Sequence, residues 1–320
     1  MVKSCQTIVL LFLLICSQST LVKAMEFQLP VACRVMQDCW ITNHVDLRGT
    51  SPLSEDYMCG KKVSDQYQST DISLGSYAEI DRNFAVVAIA DGQIRSAGNA
   101  GGACGNRIII DHDSGWASSY CHLKPETIIV RTGQNVKQGQ ILGAVGMSGT
   151  AEWPRLSMTL TRNGMVFDPF SGRTTLEGCE AASQPLWVGG INPPYEPAHV
   201  TRIGFSTGFP SDTSIMNGSK GIEVAATNTR RLSLWGMLMN TITGDRVHLK
   251  IETPNERILK EEMITIEQDS KYFPLYFTAT RNNMLWEQGL YRGTITLTRN
   301  VNGNDITTGK FTSIRLVRPE

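Results

Sequence analysis

The sequence predicts an all-β protein of two domains, and three observations carry that prediction. From Ile72 the chain runs in short apolar segments broken by glycine, as in Val86-Val87-Ala88-Ile89-Ala90-Asp91-Gly92-Gln93-Ile94. Thr132-Gly133-Gln134 and Gln138-Gly139-Gln140 add the signature of tight antiparallel hairpins. Farther on, Val247, Leu249 and Ile251 alternate with Arg246, His248 and Lys250, and Tyr291, Gly293, Ile295 and Leu297 alternate with Arg292, Thr294, Thr296 and Thr298. A period of two with one apolar face is the pattern of a half-buried antiparallel strand. Finally, no stretch keeps a 3.6-residue period long enough for a substantial helix.

Taken in order, residues 1–24 read as a cleaved secretory signal: Lys3, an apolar run from Ile8 to Cys16, then Val22-Lys23-Ala24. The run falls short of the about 20 apolar residues that span a bilayer. Ile15 before Cys16 argues against lipid attachment at that cysteine. No later segment is long and apolar enough to cross, so the expectation is an exported chain without a transmembrane anchor, secreted or periplasmic. Removing 24 of 320 residues leaves 296, a length that fits two domains. Losing Lys3 and Lys23 takes the formal charge from +0 to about −2. That balance gives no basic excess for nucleic acid.

Eight cysteines less Cys5 and Cys16 leave Cys33, Cys39, Cys59, Cys104, Cys121 and Cys179. An even number in an exported chain points to disulfides in an oxidising compartment. Six cysteines allow fifteen pairings. One local pairing is expected: strands around Asn106–Ile110 and Ala117–Cys121 flank a turn at Asp113-Ser114-Gly115, which brings Cys104 and Cys121 together. No C-x-x-C spacing signals a zinc ribbon or a redox motif.

Residues 25–66 carry three of these cysteines with little periodicity and read as a disulfide-tied extension wrapped on the next domain. Residues 67–187 form the first β domain, and 188–198 a linker containing Val188-Gly189-Gly190-Ile191-Asn192-Pro193-Pro194. In 199–320 some seven or eight strands and an Asn302-Gly303 hairpin signal predict an immunoglobulin-like β-sandwich.

The stretch from Asn106 to Phe170, NRIIIDHDSGWASSYCHLKPETIIVRTGQNVKQGQILGAVGMSGTAEWPRLSMTLTRNGMVFDPF, resembles the core of the lysostaphin-type (LytM) zinc endopeptidases, whose fold is an antiparallel duplicated hybrid motif. The resemblance runs from Tyr67 to Phe170 and more loosely from Phe27 through Trp187. In that family a His-x-x-x-Asp pair and the second His of a later His-x-His hold one zinc. Here those segments read Tyr67-Gln-Ser-Thr-Asp71 and Arg155-Leu-Ser157. The resemblance therefore implies that Asp71 keeps a ligand position while Tyr67 and Ser157 replace the two histidines. Arg155 replaces one catalytic histidine, and His122 retains the other.

A phenol and a hydroxyl are poor zinc donors near neutral pH, so no zinc or other cofactor is expected at this site. An unpaired carboxylate there would be costly, and Arg155 can hold it with charge-assisted hydrogen bonds. The expectation is an Arg155–Asp71 ion pair with Tyr67 packed over it. Trp116 and Trp153 are candidates to line a groove, or else core aromatics. Of the other histidines, His112 and His248 read as solvated surface groups, and His44 could approach the groove from the extension.

The implied function is an exported, catalytically inactive peptidase-like protein that binds peptidoglycan or regulates a cell-wall hydrolase. Two alternatives are an active zinc endopeptidase with an unusual ligand set, and a secreted interaction module whose sandwich captures a partner. Oligomeric state, partner identity and whether the extension blocks the groove are not encoded legibly.

Overall fold

The computed structural model describes residues 25–49, 53–282, 284–301 and 303–319. The expected signal segment and Asn302 lie outside the described residues.

The first domain is built from β1 (Cys39–Asn43), β2 (Thr70–Leu74), β3 (Ala85–Val87), β4 (Gly92–Asn99), β5 (Asn106–Asp111) and β6 (Trp116–Cys121). It continues through β7 (Asn135–Val136), β8 (Ile141–Ala144), β9 (Arg155–Arg162), β10 (Met165–Asp168) and β11 (Arg173–Thr174). The main sheet runs β1-β2-β9-β6-β5-β4-β7, with β10 and β11 branching from β9 and a separate β3-β8 pair. Its strand pairs are antiparallel.

Alternation along these strands sorts the sheet into two faces. Ile72 and Leu74 of β2, and Leu156, Met158 and Leu160 of β9, are buried in the core beneath it. By the same period of two, Asp71 and Ser73 on β2, with Arg155 and Ser157 on β9, occupy the opposite face. Asp71 stands directly across from Ser157, and Ser73 across from Arg155. The register thus gathers the candidate site residues on one patch.

Residues 25–66 do more than wrap the domain. Phe27 is fully buried in its core, and β1 is the edge strand of its main sheet. Three disulfides form: Cys33–Cys39 within this segment, Cys59–Cys179 tying it to the end of the domain, and Cys104–Cys121 beside the β5–β6 hairpin. Near that last bridge two glycines, Gly105 and Gly149, approach closely. A Cβ on Gly105, whose φ is +64°, would sit 2.3 Å from the Gly149 nitrogen, so no side chain fits.

The second domain comprises β12 (His199–Ser206), a five-residue helix α1 (Asp212–Met216), β13 (Val224–Ala226), β14 (Arg231–Thr241) and β15 (Arg246–Glu252). Strands β16 (Ile258–Thr265), β17 (Ser270–Thr280), β18 (Gly289–Val301) and β19 (Asn304–Val317) complete it. They form two sheets, β12-β14-β17 and β13-β19-β18-β15-β16, enclosing Phe205, Leu234, Leu249 and Ile295. The predicted sandwich of about eight strands is therefore present.

Strand β14 is buried on both faces, which a simple two-layer sandwich does not require. Leu232, Leu234 and Leu238 face the sandwich core, whereas Trp235, Met237 and Met239 face a third apolar cluster with Ile215 and with Trp40 and Trp153 of the first domain. The Trp153 and Tyr272 rings stack across this junction, 4.4 Å apart at 15°. Asn240 adds a hydrogen bond to the Thr42 carbonyl at 2.7 Å.

Candidate functional site

Asp71 is 4% exposed and is held by two hydroxyl donors and a neighbouring cation. The Tyr67 hydroxyl donates to its Oδ1 at 2.7 Å, and the Ser157 hydroxyl donates to the same oxygen. Arg155 Nε lies 3.6 Å from Oδ2 and also donates to the Ser157 hydroxyl at 3.4 Å. Burial together with the Asp71 carboxylate pushes the Tyr67 phenol well above its ordinary range, so it stays protonated and acts as a donor.

His122 stands at the other side of Arg155. Its Nδ1–H donates to the Ser148 carbonyl at 2.8 Å, which leaves Nε2 to accept from Arg155 Nη2 at 3.3 Å. Burial and then the Arg155 charge lower its pKa, favouring the neutral imidazole that this geometry needs. The His122 backbone has φ +67°, an unusual value for a non-glycine residue, and its N–H is held by the Cys104 carbonyl at 2.9 Å.

Two residues that the sequence did not single out cover this patch from the second domain. Tyr272, near the start of β17, stacks on Trp153 and borders the patch, and Lys271 reaches the Ser64 hydroxyl at 3.1 Å. Burial pushes the Tyr272 phenol up to about 12. Between the two domains remains a cavity of about 80 Å³ bordered by Asp71, Arg155, Glu152 and Tyr272. The alternation of β17 marks Tyr272 as facing one side of a sheet, but nothing local says that this side meets another domain.

Several expected placements are corrected. Trp116 does not line a groove: it packs in the core against Phe27 and Phe167, 5.2 and 5.0 Å between ring centroids. Trp153 is fully buried under Tyr272 and donates its indole N–H to the Leu74 carbonyl. His112 is no solvated turn residue. Its Nδ1 bonds the Asp91 carbonyl at 2.7 Å and its Nε2 the Ser118 hydroxyl at 2.8 Å, in a buried position. His44 sits 2% exposed among Tyr57, Phe170 and Tyr195, turned away from the groove. His248 lies on the polar face of β15 and contacts Glu261.

The residues at this patch do not fit a zinc ion. A hydrolytic zinc takes three protein donors and leaves a position for water. Here the one carboxylate accepts from two hydroxyls, a permanent cation lies beside it, and the one imidazole faces that cation. Among the described residues, one other set of potential ligands converges, Glu55, Cys179 and Glu180. Cys179 is bonded to Cys59 and offers no thiolate, while both glutamates pair with Arg48.

The sequence profile of Peptidase family M23 matches residues 72–169. The lipoprotein NlpD of Yersinia enterocolitica is 36% identical over 88 residues, which are 28% of this chain and 88% of that protein. The chain belongs to this peptidase family. The matched segment contains His122, Arg155 and Ser157 and ends at the Asp168-Pro169 pair, just before β11.

Two longer relatives match shorter stretches of the chain. The cell division protein DipM of Caulobacter vibrioides is 41% identical over 71 residues, 22% of this chain and 11% of that protein. The murein hydrolase activator NlpD of Salmonella dublin is 40% identical over 85 residues, 27% of this chain and 22% of that protein. The chain thus spans under a quarter of the length of these two relatives. The catalytic domain of lysostaphin from Staphylococcus simulans gives a TM-score of 0.29 at 28% identity, over 32% of this chain and 76% of that one.

Proposed function

We propose that this protein is an exported, non-hydrolytic member of its peptidase family that regulates a cell-wall hydrolase at the peptidoglycan. The observation that carries this reading is that Asp71 accepts hydrogen bonds from Tyr67 and Ser157 and pairs with the Arg155 guanidinium, with no second metal donor beside it among the described residues. A guanidinium cannot polarise a bound water into a hydroxide as zinc does, so the chemistry of hydrolysis has no agent at this patch. Two further observations support the rest. A relative bears the name murein hydrolase activator, and the pairing of all six cysteines outside the signal fits an oxidising compartment such as the periplasm.

The test is release of soluble fragments from dye-labelled peptidoglycan by purified cell-wall amidases, with and without the protein. Stimulation of an amidase together with no release by the protein alone supports the proposal. Release by the protein alone, or no effect on any amidase tested, contradicts it.

A further inference from the structure

The domain junction holds a second polar cluster, formed by Lys62 of the first domain and His199 of the second. Lys62 is 2% exposed, yet its ammonium donates to the Glu196 carbonyl at 2.8 Å and to His199 Nε2 at 2.9 Å, with the Tyr195 ring 5.4 Å away. His199, the first residue of β12, is 1% exposed and directs Nδ1 at the Glu196 carboxylate, 3.1 Å away. That donor leaves Nε2 as the acceptor for Lys62, so the contact requires a neutral imidazole.

The register of the three-stranded sheet connects this cluster to the Asp71 patch. His199 pairs with Met239 of β14, and Met239 pairs with Tyr272 of β17. Directly opposed residues point to one face of a sheet, so these three side chains form one row facing the first domain. One end of the row rests on Lys62 and the other stacks on Trp153.

We propose that the Lys62–His199 contact is a proton-operated latch that holds the second domain, through this row, over the Asp71–Arg155 patch. Protonation of His199 puts an N–H on Nε2, pointing at the Lys62 ammonium 2.9 Å away, and two donors then face each other in a buried site. Every element around the imidazole bears on this. Lys62 opposes the proton, and Glu196, fixed in turn by Thr308, favours it. The Ile41 carbonyl, 3.2 Å from Nε2, would accept the new proton were Lys62 absent. His44 lies near both, Asp56 holds the Lys62 backbone N–H, and Arg299 is neutralised by Asp245 at 2.7 Å. Burial first, and Lys62 second, keep the His199 pKa down to about 4.

The latch governs access to the patch and rests on the functional reading above only for its purpose; the test reads the junction itself. Met239 is fully buried in the row, Met158 is buried in the first-domain core, and Met263 is 60% exposed. Initial rates of methionine sulfoxide formation in dilute hydrogen peroxide, resolved by peptide mass spectrometry, report the opening of each place. Relative to Met263, Met239 should oxidise about thirty-fold faster at pH 5 than at pH 8, as expected when an imidazole is released to its ordinary pKa. Met158 should stay slow at both.

In His199→Gln the imidazole's share of the rise should be lost, leaving only what Lys62, itself lowered to about 7 by burial, contributes. In Lys62→Met the rise should shrink but persist, since the Ile41 carbonyl can then take the proton while burial, the larger cause, still disfavours the charged imidazole. A Met239 rate that is equal at the two pH values, or that rises equally in His199→Gln, overturns the latch. So does a rise that Met158 shares, because that reports global unfolding.

Discussion

Arg155 Nε lies 3.6 Å from Asp71 Oδ2, on a sheet face that the alternation of β2 and β9 keeps away from the core. The pair is largely shielded from water, its side chains 17% and 6% exposed. In such a setting removing one partner costs more than removing both, because the survivor is left charged and undersolvated. Asp71→Asn should therefore destabilise the protein by about 3 kcal/mol, and Asp71→Asn with Arg155→Met by less. Urea midpoints with unchanged m-values would establish the order.

Replacing Tyr67, Arg155 and Ser157 together by histidine should create zinc affinity that the parent lacks. Imidazoles supply most of the affinity of a zinc site, and Asp71 is already placed on the patch. Calorimetric titration should show one zinc per chain for the triple variant. An unresponsive variant that is folded would contradict the placement of these positions.

The two long-range disulfides should differ in weight. Cys104–Cys121 closes a separation of 17 residues and Cys59–Cys179 one of 120. Replacing each pair with alanine should cost about 3 and about 4–5 kcal/mol respectively, measured by thermal or urea unfolding.

Trp153 and Tyr272 bind the domains into one packed body. Trp153→Ala should cost about 3–5 kcal/mol, because it leaves a cavity under Tyr272 and strands the Leu74 carbonyl. A chain ending near residue 190 exposes Trp40 and Trp153 together, so it should aggregate where the full chain does not. Light scattering at matched concentration decides.

The contribution of His199 to stability should fall between pH 6.5 and pH 4, opposed by buried Asp168, whose carboxyl is raised to about 7. The folded pKa of His199, about 4, lies below its ordinary 6.5. Above about 6.5 the imidazole is neutral in both states and its contribution is complete. As pH drops the unfolded chain takes the proton first, and the contribution declines until the folded value is reached. The loss for this one group is about 3 kcal/mol. Urea unfolding at pH 7.5 and 4.5 should show it as the difference between the parent's pH change and that of His199→Gln, in which the other titrating groups cancel.

Much of the fold is legible because it is local. The turn at Asp113-Ser114-Gly115 brings β5 and β6 together and with them Cys104 and Cys121, and the alternation of β15 and β18 is written in their residues. The junction is not legible. Trp235, Met237 and Met239 look like any buried strand face until the partner tryptophans, from residues 40 and 153, are known to arrive there. His112 was misplaced for a related reason: it follows a strand and precedes a turn, but the Asp91 carbonyl just before β4 and Ser118 from β6 draw its ring inward. At the candidate site, the family resemblance put Asp71 and Arg155 together and charge paired them, whereas the cover by Tyr272 depends on how the domains dock.

The most direct measurement of the central claim is zinc content by elemental analysis of the oxidised protein purified without added metal, together with its action on purified peptidoglycan. The account predicts far less than one zinc per chain and no released fragments from a folded sample. Near-stoichiometric zinc with cleavage would contradict it and restore a hydrolase.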